Sequence, residues 1–130
     1  MFKTVLFPVD RSREAREAAK AVSNIVRTYQ SRLVLLSVVE AQADSGMNSE
    51  SEVAKLLQGA KALFSNEGIE AEIIEREGIP SFTICDVADE INANLIVMGS
   101  RGLGLAGENT KESVTHRAID LAPCPVLIIP

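Results

Sequence analysis

The sequence predicts an α/β fold, a three-layer sandwich with a five-stranded parallel sheet of order 3-2-1-4-5, which is Rossmann-like. Helical patterns fill the intervals between apolar segments, so the elements alternate as βαβαβαβαβ. The segment from Ile69 to Glu75 alternates apolar and acidic residues except at Ile74, and this near period of two is typical of a half-exposed edge strand, so the order starts at strand 3. Four almost continuously apolar segments indicate strands covered on both faces, namely Thr4–Val9, Leu33–Val39, Leu95–Met98 and Val126–Ile129.

The predicted helices begin at serines, whose side chains can accept hydrogen bonds from free backbone N–H groups. Glu52 completes a capping box with the serine three residues before it, and Gly68 ends that helix. Pro123 and Pro125 end the fourth helix, whose inward side chains are expected to be Val114, Ala118, Leu121 and Ala122. The helix-starting serines are Ser12, Ser49, Ser81 and Ser113.

Length and composition restrict the class of protein. A chain of 130 residues predicts one domain, residues 1–130, and a net charge of −5 without a basic stripe argues against a nucleic-acid partner. No apolar run reaches the length of a membrane span, and the opening MFKTVLFPVD reads as a strand rather than a signal peptide. Cys85 and Cys124 are far apart in the sequence and, with one histidine, make no recognisable zinc site. We therefore expect reduced core thiols in a cytoplasmic protein.

The order 3-2-1-4-5 also predicts where a ligand binds. In open α/β sheets the binding crevice lies beyond the carboxyl ends of the strands, where the strand order reverses. That reversal falls between strand 1, which ends in Pro8-Val9-Asp10, and strand 4, which ends in Met98-Gly99-Ser100.

The segment GLGLAG, residues 102–107, matches the dinucleotide fingerprint G-x-G-x-x-G in its letters only. A dinucleotide site needs this motif after the first strand of a unit and an acid at the end of the next strand. Here the motif follows strand 4, and Asp120 lies in the last helix. A P-loop is excluded as well, because no Gly-Lys-Ser/Thr follows.

A second spacing in the same region suits an anion better. Gly99 and Gly102 allow a close backbone approach, and Ser113-Val114-Thr115 are expected to offer N–H groups and hydroxyls at the start of a helix. These two groups would hold a phosphate chain from two sides.

Five segments give the chain a resemblance to the universal stress protein family, of the adenine-nucleotide α-hydrolase-like fold. They are FPVD, VLLSVV, GIP, NANLIVMGSRG and APCPVLIIP, and together they extend over essentially the whole chain. The family implies a small cytosolic stress-response protein with an ATP-type site, holding an adenine nucleotide with Mg²⁺, between strands 1 and 4.

The resemblance also implies the roles of individual residues. Asp10 and the backbone of Val38 would face adenine, with Pro8 and Val9 near the ribose. The residues implied around the ribose and phosphates are Met98, Gly99, Arg101, Gly102, Ser113, Val114 and Thr115.

Glu112 departs from the family pattern G-x2-G-x9-G-S/T, because it occupies the third glycine position. Two like charges about 4 Å apart repel by roughly 1 to 4 kcal/mol, which is one to three decades in affinity. The alternative is therefore a dimeric regulatory or interaction module of the same fold that binds no nucleotide.

No catalytic set is evident in the sequence. Asp10 has no carboxylate or histidine beside it by spacing, which favours a binding or turn role, and His116 reads as an exposed helix residue. Slow ATP hydrolysis stays open.

The terminal strand, Val126, Leu127, Ile128 and Ile129, would form an open apolar sheet edge. A two-fold homodimer joined antiparallel through this edge would cover it, and the family resemblance implies the same mode.

Overall fold

The structure is a computed structural model that describes residues 1–10, 13–40, 49–99 and 108–130. Side chains are described throughout these ranges except at residues 13, 14 and 108–113. The expected helix cap Ser12 and the site residues Arg101 and Gly102 lie outside the described residues.

Five strands and four helices alternate along the described chain and confirm the predicted fold class. The sheet is parallel throughout, with the order β3-β2-β1-β4-β5. The elements are β1 Thr4–Pro8, α1 Arg13–Tyr29, β2 Arg32–Val39, α2 Glu50–Asn66, β3 Ala71–Glu77, α3 Pro80–Glu90, β4 Leu95–Gly99, α4 Glu108–Leu121 and β5 Val126–Ile129. None of the helices in the described ranges is long and apolar enough to cross a membrane.

Two apolar clusters lie on opposite faces of the sheet. Alternating strand residues divide between them, since Val5 and Phe7 join one cluster and Leu6 joins the other. The first cluster packs under α1 and α2, and the second under α3 and α4. The three layers therefore follow from strands that are apolar on both sides.

The β3 strand begins two residues later than the alternation predicts. The N–H of Ile69 donates to the carbonyl of Phe64 at 2.9 Å, so Ile69 belongs to the turn that ends α2. Gly68 adopts a φ of +79° in this turn, a conformation that glycine takes without strain. From Ala71 onward β3 pairs with β2 in register as far as Glu77.

The starts of α2 and α3 depend on the residues that suit a helix end, not on where the apolar side chains become periodic. Ser49 accepts the predicted capping bond from the N–H of Glu52 at 3.4 Å. The α3 helix starts at Pro80 rather than Ser81, because proline suits the first helical position, where an N–H is not needed.

The prediction that Ser113 opens the fourth helix is wrong, because α4 begins five residues earlier, at Glu108. The residues between them are polar and carry no apolar period, but glutamate and lysine are good helix formers. Leu121 is also not inward, since it is 49% exposed at the last turn, whereas Ala118 is fully buried.

Candidate functional site

The β1 and β4 strands stop pairing before their carboxyl ends, at the place where the strand order predicts a binding crevice. The pairing of these strands joins Val5 to Leu95 and Leu6 to Ile96 and goes no further, although both strands continue. Pro8 gives a physical reason for the separation. The N–H of Val9 donates to β2, and successive strand residues present their backbone groups to opposite sides, so the backbone nitrogen of Pro8 faces β4. Proline has no N–H, so β1 offers β4 no donor at this position.

The end of β1 is fixed from the β2 side. The N–H of Val9 donates to the carbonyl of Leu36 at 2.8 Å, and the hydroxyl of Ser37 donates to the carbonyl of Val9 at 2.7 Å. Ser37 and Val9 are both buried. These two bonds position Asp10, the next residue, at the edge of the crevice. Sequence reasoning missed Ser37, because a serine within an apolar strand gives no sign of its partner.

The β2 strand extends past the end of β1. Leu36 presents its carbonyl towards β1, and alternate residues of a strand present their backbone groups to the same side. Val38 therefore presents its N–H and C=O beyond the end of β1, towards the crevice. This is the position that the family resemblance implies for adenine.

Apolar side chains form one wall of the same region. Val38 and Met98 are buried in the cluster under α3 and α4, and the half-buried Val114 of α4 packs against that cluster. Thr115, the next residue of α4, is buried as well. Gly99 is buried at the last position of β4. The structure thus brings residues from β2, β4 and α4 together near the reversal of strand order.

Glu40 is a further acidic residue at this edge, and sequence reasoning missed it. Burial, and then the nearby charge of Asp10, raise the pKa of the Glu40 carboxyl above its ordinary value. Glu40 directly follows β2, and Asp10 lies two residues after the end of the neighbouring strand β1, which would have been the signal in the sequence. The crevice is therefore acidic on its β1/β2 side.

The phosphate-binding elements are only partly described. Glu112 and Ser113 lie within α4, at its fifth and sixth residues, and their side chains are not among those described. The expectation of free N–H groups at Ser113 is wrong, because only the first four N–H groups of a helix lack a partner within it. Glu112 also lies beyond the first turn of α4.

The two thiols share one environment. Cys85 is buried and Cys124 half-buried, and both are free and belong to the cluster under α3 and α4. Burial raises the pKa of each thiol, and nearby Asp86 and Cys124 raise that of Cys85 further. His116 is exposed on α4, as the sequence predicts. Within the described ranges, histidine, cysteine and acidic residues form no group suited to a metal ion.

A sequence model of the universal stress protein family matches residues 1–130. The chain belongs to this family. Universal stress protein Sll1654 of Synechocystis sp. is 60% identical to it over 136 residues, which cover 100% of this chain and 87% of that protein. The resemblance drawn from the five sequence segments is confirmed.

Solved structures agree with the fold of this universal stress protein. The structure of hypothetical protein MJ0577 matches with a TM-score of 0.82 and 27% identity, covering 99% of this chain and 96% of that one. A universal stress protein of Archaeoglobus fulgidus, solved in complex with dAMP, matches with a TM-score of 0.76 and 24% identity over 99% and 98% of the two chains. At the latter identity the likeness shows the fold alone.

Proposed function

We propose that this universal stress protein binds an adenine nucleotide, as ATP with Mg²⁺, in the crevice between β1 and β4, and acts in the cytoplasm as a regulatory protein. The observation that carries the proposal is the end of the β1–β4 pairing at Leu6 and Ile96, while the strands continue to Pro8 and Gly99. The crevice thus lies at the reversal of strand order, where open α/β sheets bind ligands. The dAMP complex of an Archaeoglobus fulgidus protein provides a precedent in this fold.

The β1/β2 side of the crevice suits the base. The N–H and C=O of Val38 offer a donor and an acceptor side by side, matching the acceptor and amino donor on the edge of adenine. Asp10 and Glu40 add oxygens that accept hydrogen bonds from an amino group. Guanine presents a carbonyl in place of that amino group, so we expect ATP to bind at least tenfold more tightly than GTP, about the effect of one hydrogen bond.

The β4/α4 side suits the ribose and phosphates better than the β1/β2 side, where Asp10 and Glu40 lie. Gly99 ends β4 here, and Thr115 carries a hydroxyl on α4. Since the N–H groups of residues 113–115 are inside the helix, phosphate contacts would come from side chains and from the segment after Gly99. We expect the affinity for ATP to be modest for this reason.

Titration calorimetry with Mg-ATP tests the proposal, with GTP as the matched ligand. Glu112→Gln removes the carboxylate and keeps a helix-forming residue, whereas Glu112→Gly also weakens the helix by about 1 kcal/mol. A gain in Glu112→Gln measures charge repulsion, and a further gain in Glu112→Gly measures the release of N–H groups. Absence of heat up to millimolar ATP in the wild type and both variants would refute nucleotide binding.

The second candidate is a regulatory or interaction module of this fold that binds no nucleotide. Glu112 in place of the family glycine, together with the early start of α4 at Glu108, favours it. Recovery of the wild-type protein with tightly bound nucleotide would exclude this candidate. This second candidate predicts no heat in the Mg-ATP titration, which is the result that refutes the first candidate.

We also propose that the protein is a homodimer joined through β5. This strand lies at the edge of the sheet, and Leu127 is 38% exposed on it. The carbonyl of Pro125 accepts a hydrogen bond from the N–H of Ile96, so Pro125 presents its backbone towards β4. Backbone groups of successive strand residues point to opposite sides, so those of Val126 and Ile128 point away from β4, to the open edge. Sedimentation velocity of Ile128→Lys, with a circular dichroism check of folding, tests this arrangement. An unchanged sedimentation coefficient in the folded variant argues against it.

A further inference from the structure

A cleft lies between α1 and α2, on the face of the sheet opposite to α4. Its volume is about 740 Å³, within the range of small-molecule pockets. Its walls are apolar and mostly small, with Ala15 and Ala19 on α1 facing Leu56, Gly59 and Ala60 on α2. A Cβ built on Gly59 meets no atom within 4 Å, so the small wall leaves space that a ligand can occupy.

Two phenylalanines line the deep part of this cleft. The rings of Phe7 and Phe64 pack edge to face, with centroids 6.2 Å apart, and both side chains are buried. The rings line the cleft with an apolar surface that carries no hydrogen-bonding groups. This surface suits an alkyl chain better than a polar ligand.

Positive charge is concentrated towards one end of the cleft. In a parallel βαβ unit the helix starts at the carboxyl edge of the sheet, so Arg16 and Lys20 on α1 and Lys55 on α2 all lie in the half of their helix that is nearer to that edge. In the part of the chain that the structure describes, the ion pairs involve other cations. Asp10 also lines this end and Glu40 lies near Asp10, which leaves three cations against two carboxylates in a protein of net charge −5.

The opposite end carries no unbalanced charge of this kind. Glu67 lines it, but its carboxylate pairs with Arg27 at 2.9 Å. The cleft is therefore cationic at the carboxyl edge of the sheet and apolar below it. Such a gradient matches a ligand with one anionic end and a long apolar body.

We propose that this cleft binds a linear alkyl carboxylate, a free fatty-acid anion, with its chain along Phe7 and Phe64. The carboxylate lies among Arg16, Lys20 and Lys55. This site is separate from the nucleotide crevice, although Val9 and Asp10 border both.

Calorimetric titration with octanoate, decanoate and dodecanoate, each below its micelle-forming concentration, tests the apolar part. Each buried methylene contributes about fourfold in affinity, so each step of two carbons is expected to tighten binding by about fifteenfold. Affinity that does not change with chain length overturns the proposal. Decanol tests the head group, and binding of decanol as tight as that of decanoate overturns the role of the cations.

Two pairs of variants locate the site. Gly59→Leu fills the cleft and is expected to abolish decanoate binding, whereas Ala62→Leu, on an exposed position of α2 outside the cleft, leaves it unchanged. Lys20→Glu is expected to weaken binding at least tenfold, whereas Lys61→Glu on α2 does not. Equal effects within either pair overturn the assignment.

Two further measurements distinguish this cleft from the nucleotide crevice and from a dimer interface. The affinity for Mg-ATP in Gly59→Leu is expected to equal that of the wild type, so that failure of one site does not imply failure of the other. A sedimentation coefficient that falls in Gly59→Leu would identify a second copy of the chain as the occupant and would overturn the fatty-acid proposal.

Discussion

Ser37 and Ser23 are both buried, but only the replacement of Ser37 by alanine is expected to destabilise the protein. The hydroxyl of Ser37 donates to the carbonyl of Val9 at 2.7 Å, and both residues are almost inaccessible to water. In Ser37→Ala the Val9 carbonyl keeps its buried position and loses this donor. Leaving a buried acceptor unsatisfied costs about 1 to 3 kcal/mol, so we expect a loss of about 2 kcal/mol.

The hydroxyl of Ser23 on α1 differs, because it is buried without a hydrogen-bond partner within the described structure. Its removal relieves a desolvation penalty that no hydrogen bond offsets, and alanine is the better helix former. We therefore expect Ser23→Ala to be neutral or to gain about 1 kcal/mol. The two variants delete the same atom at similar burial, so the presence of a partner is the difference between them.

Urea unfolding followed by circular dichroism measures both variants. With a slope of about 2 kcal/mol per molar urea, the midpoint of Ser37→Ala is expected to fall by about 1 M and that of Ser23→Ala to stay or rise. Ser37→Ala should also weaken Mg-ATP binding, because the Ser37 bond positions Asp10. If Ser37→Ala loses no more stability than Ser23→Ala, the inferred role of the Val9 bond is wrong.

Three further predictions concern charge, thiols and glycines. Burial and Asp10 raise the pKa of the Glu40 carboxyl, so the folded protein binds this proton more tightly than the unfolded chain does. As pH rises above about 4.5, the wild type should therefore lose about 0.5 kcal/mol of stability relative to Glu40→Gln. Urea unfolding of both proteins at pH 3.5 and 7 measures this difference. The raised pKa values of Cys85 and Cys124 predict slow reaction with a disulfide reagent at pH 7 that accelerates in urea; fast labelling of native protein would contradict this. Gly59→Ala should gain about 1 kcal/mol in mid-helix, whereas Gly68→Ala, at a φ of +79°, should lose about 1 to 2 kcal/mol by the same measurement, and equal changes would refute the distinction.

The sequence predicts the sheet order because the edge strand is distinctive. Four of the seven residues of β3 are charged, and this places it outside the almost continuously apolar strands β2, β1 and β4. The start of α4 escaped prediction because Glu108–Ser113 forms helix without an apolar face, so its helix propensity leaves no periodic signal. The order of elements was therefore easier to predict than their ends.

Some residues of the candidate site could be predicted from the sequence and others could not. Asp10 and Gly99 follow from strand ends and topology alone, since both strands reach the same sheet edge. The Ser37 bond and the acidic pair of Glu40 with Asp10 depend on register between strands that are distant in sequence. A single sequence contains no record of that register. The positions of Asp10 and Glu40 after neighbouring strands indicate that they lie close together, but the Ser37 bond could be found only in the structure.

Two features of the β4/α4 side both weaken its contacts with phosphates. Glu112 adds a carboxylate where the family has glycine, and the start of α4 at Glu108 places the N–H of Ser113 inside the helix. Both reduce what the protein offers to phosphates, whereas the backbone of Val38 on the base side is unaffected. We therefore expect adenosine to bind within threefold of ATP in the wild type, and the ratio to move towards ATP by at least tenfold in Glu112→Gln. Competition calorimetry with the two ligands measures this ratio, and ATP binding ten times more tightly than adenosine to the wild type would show that the phosphate side is intact.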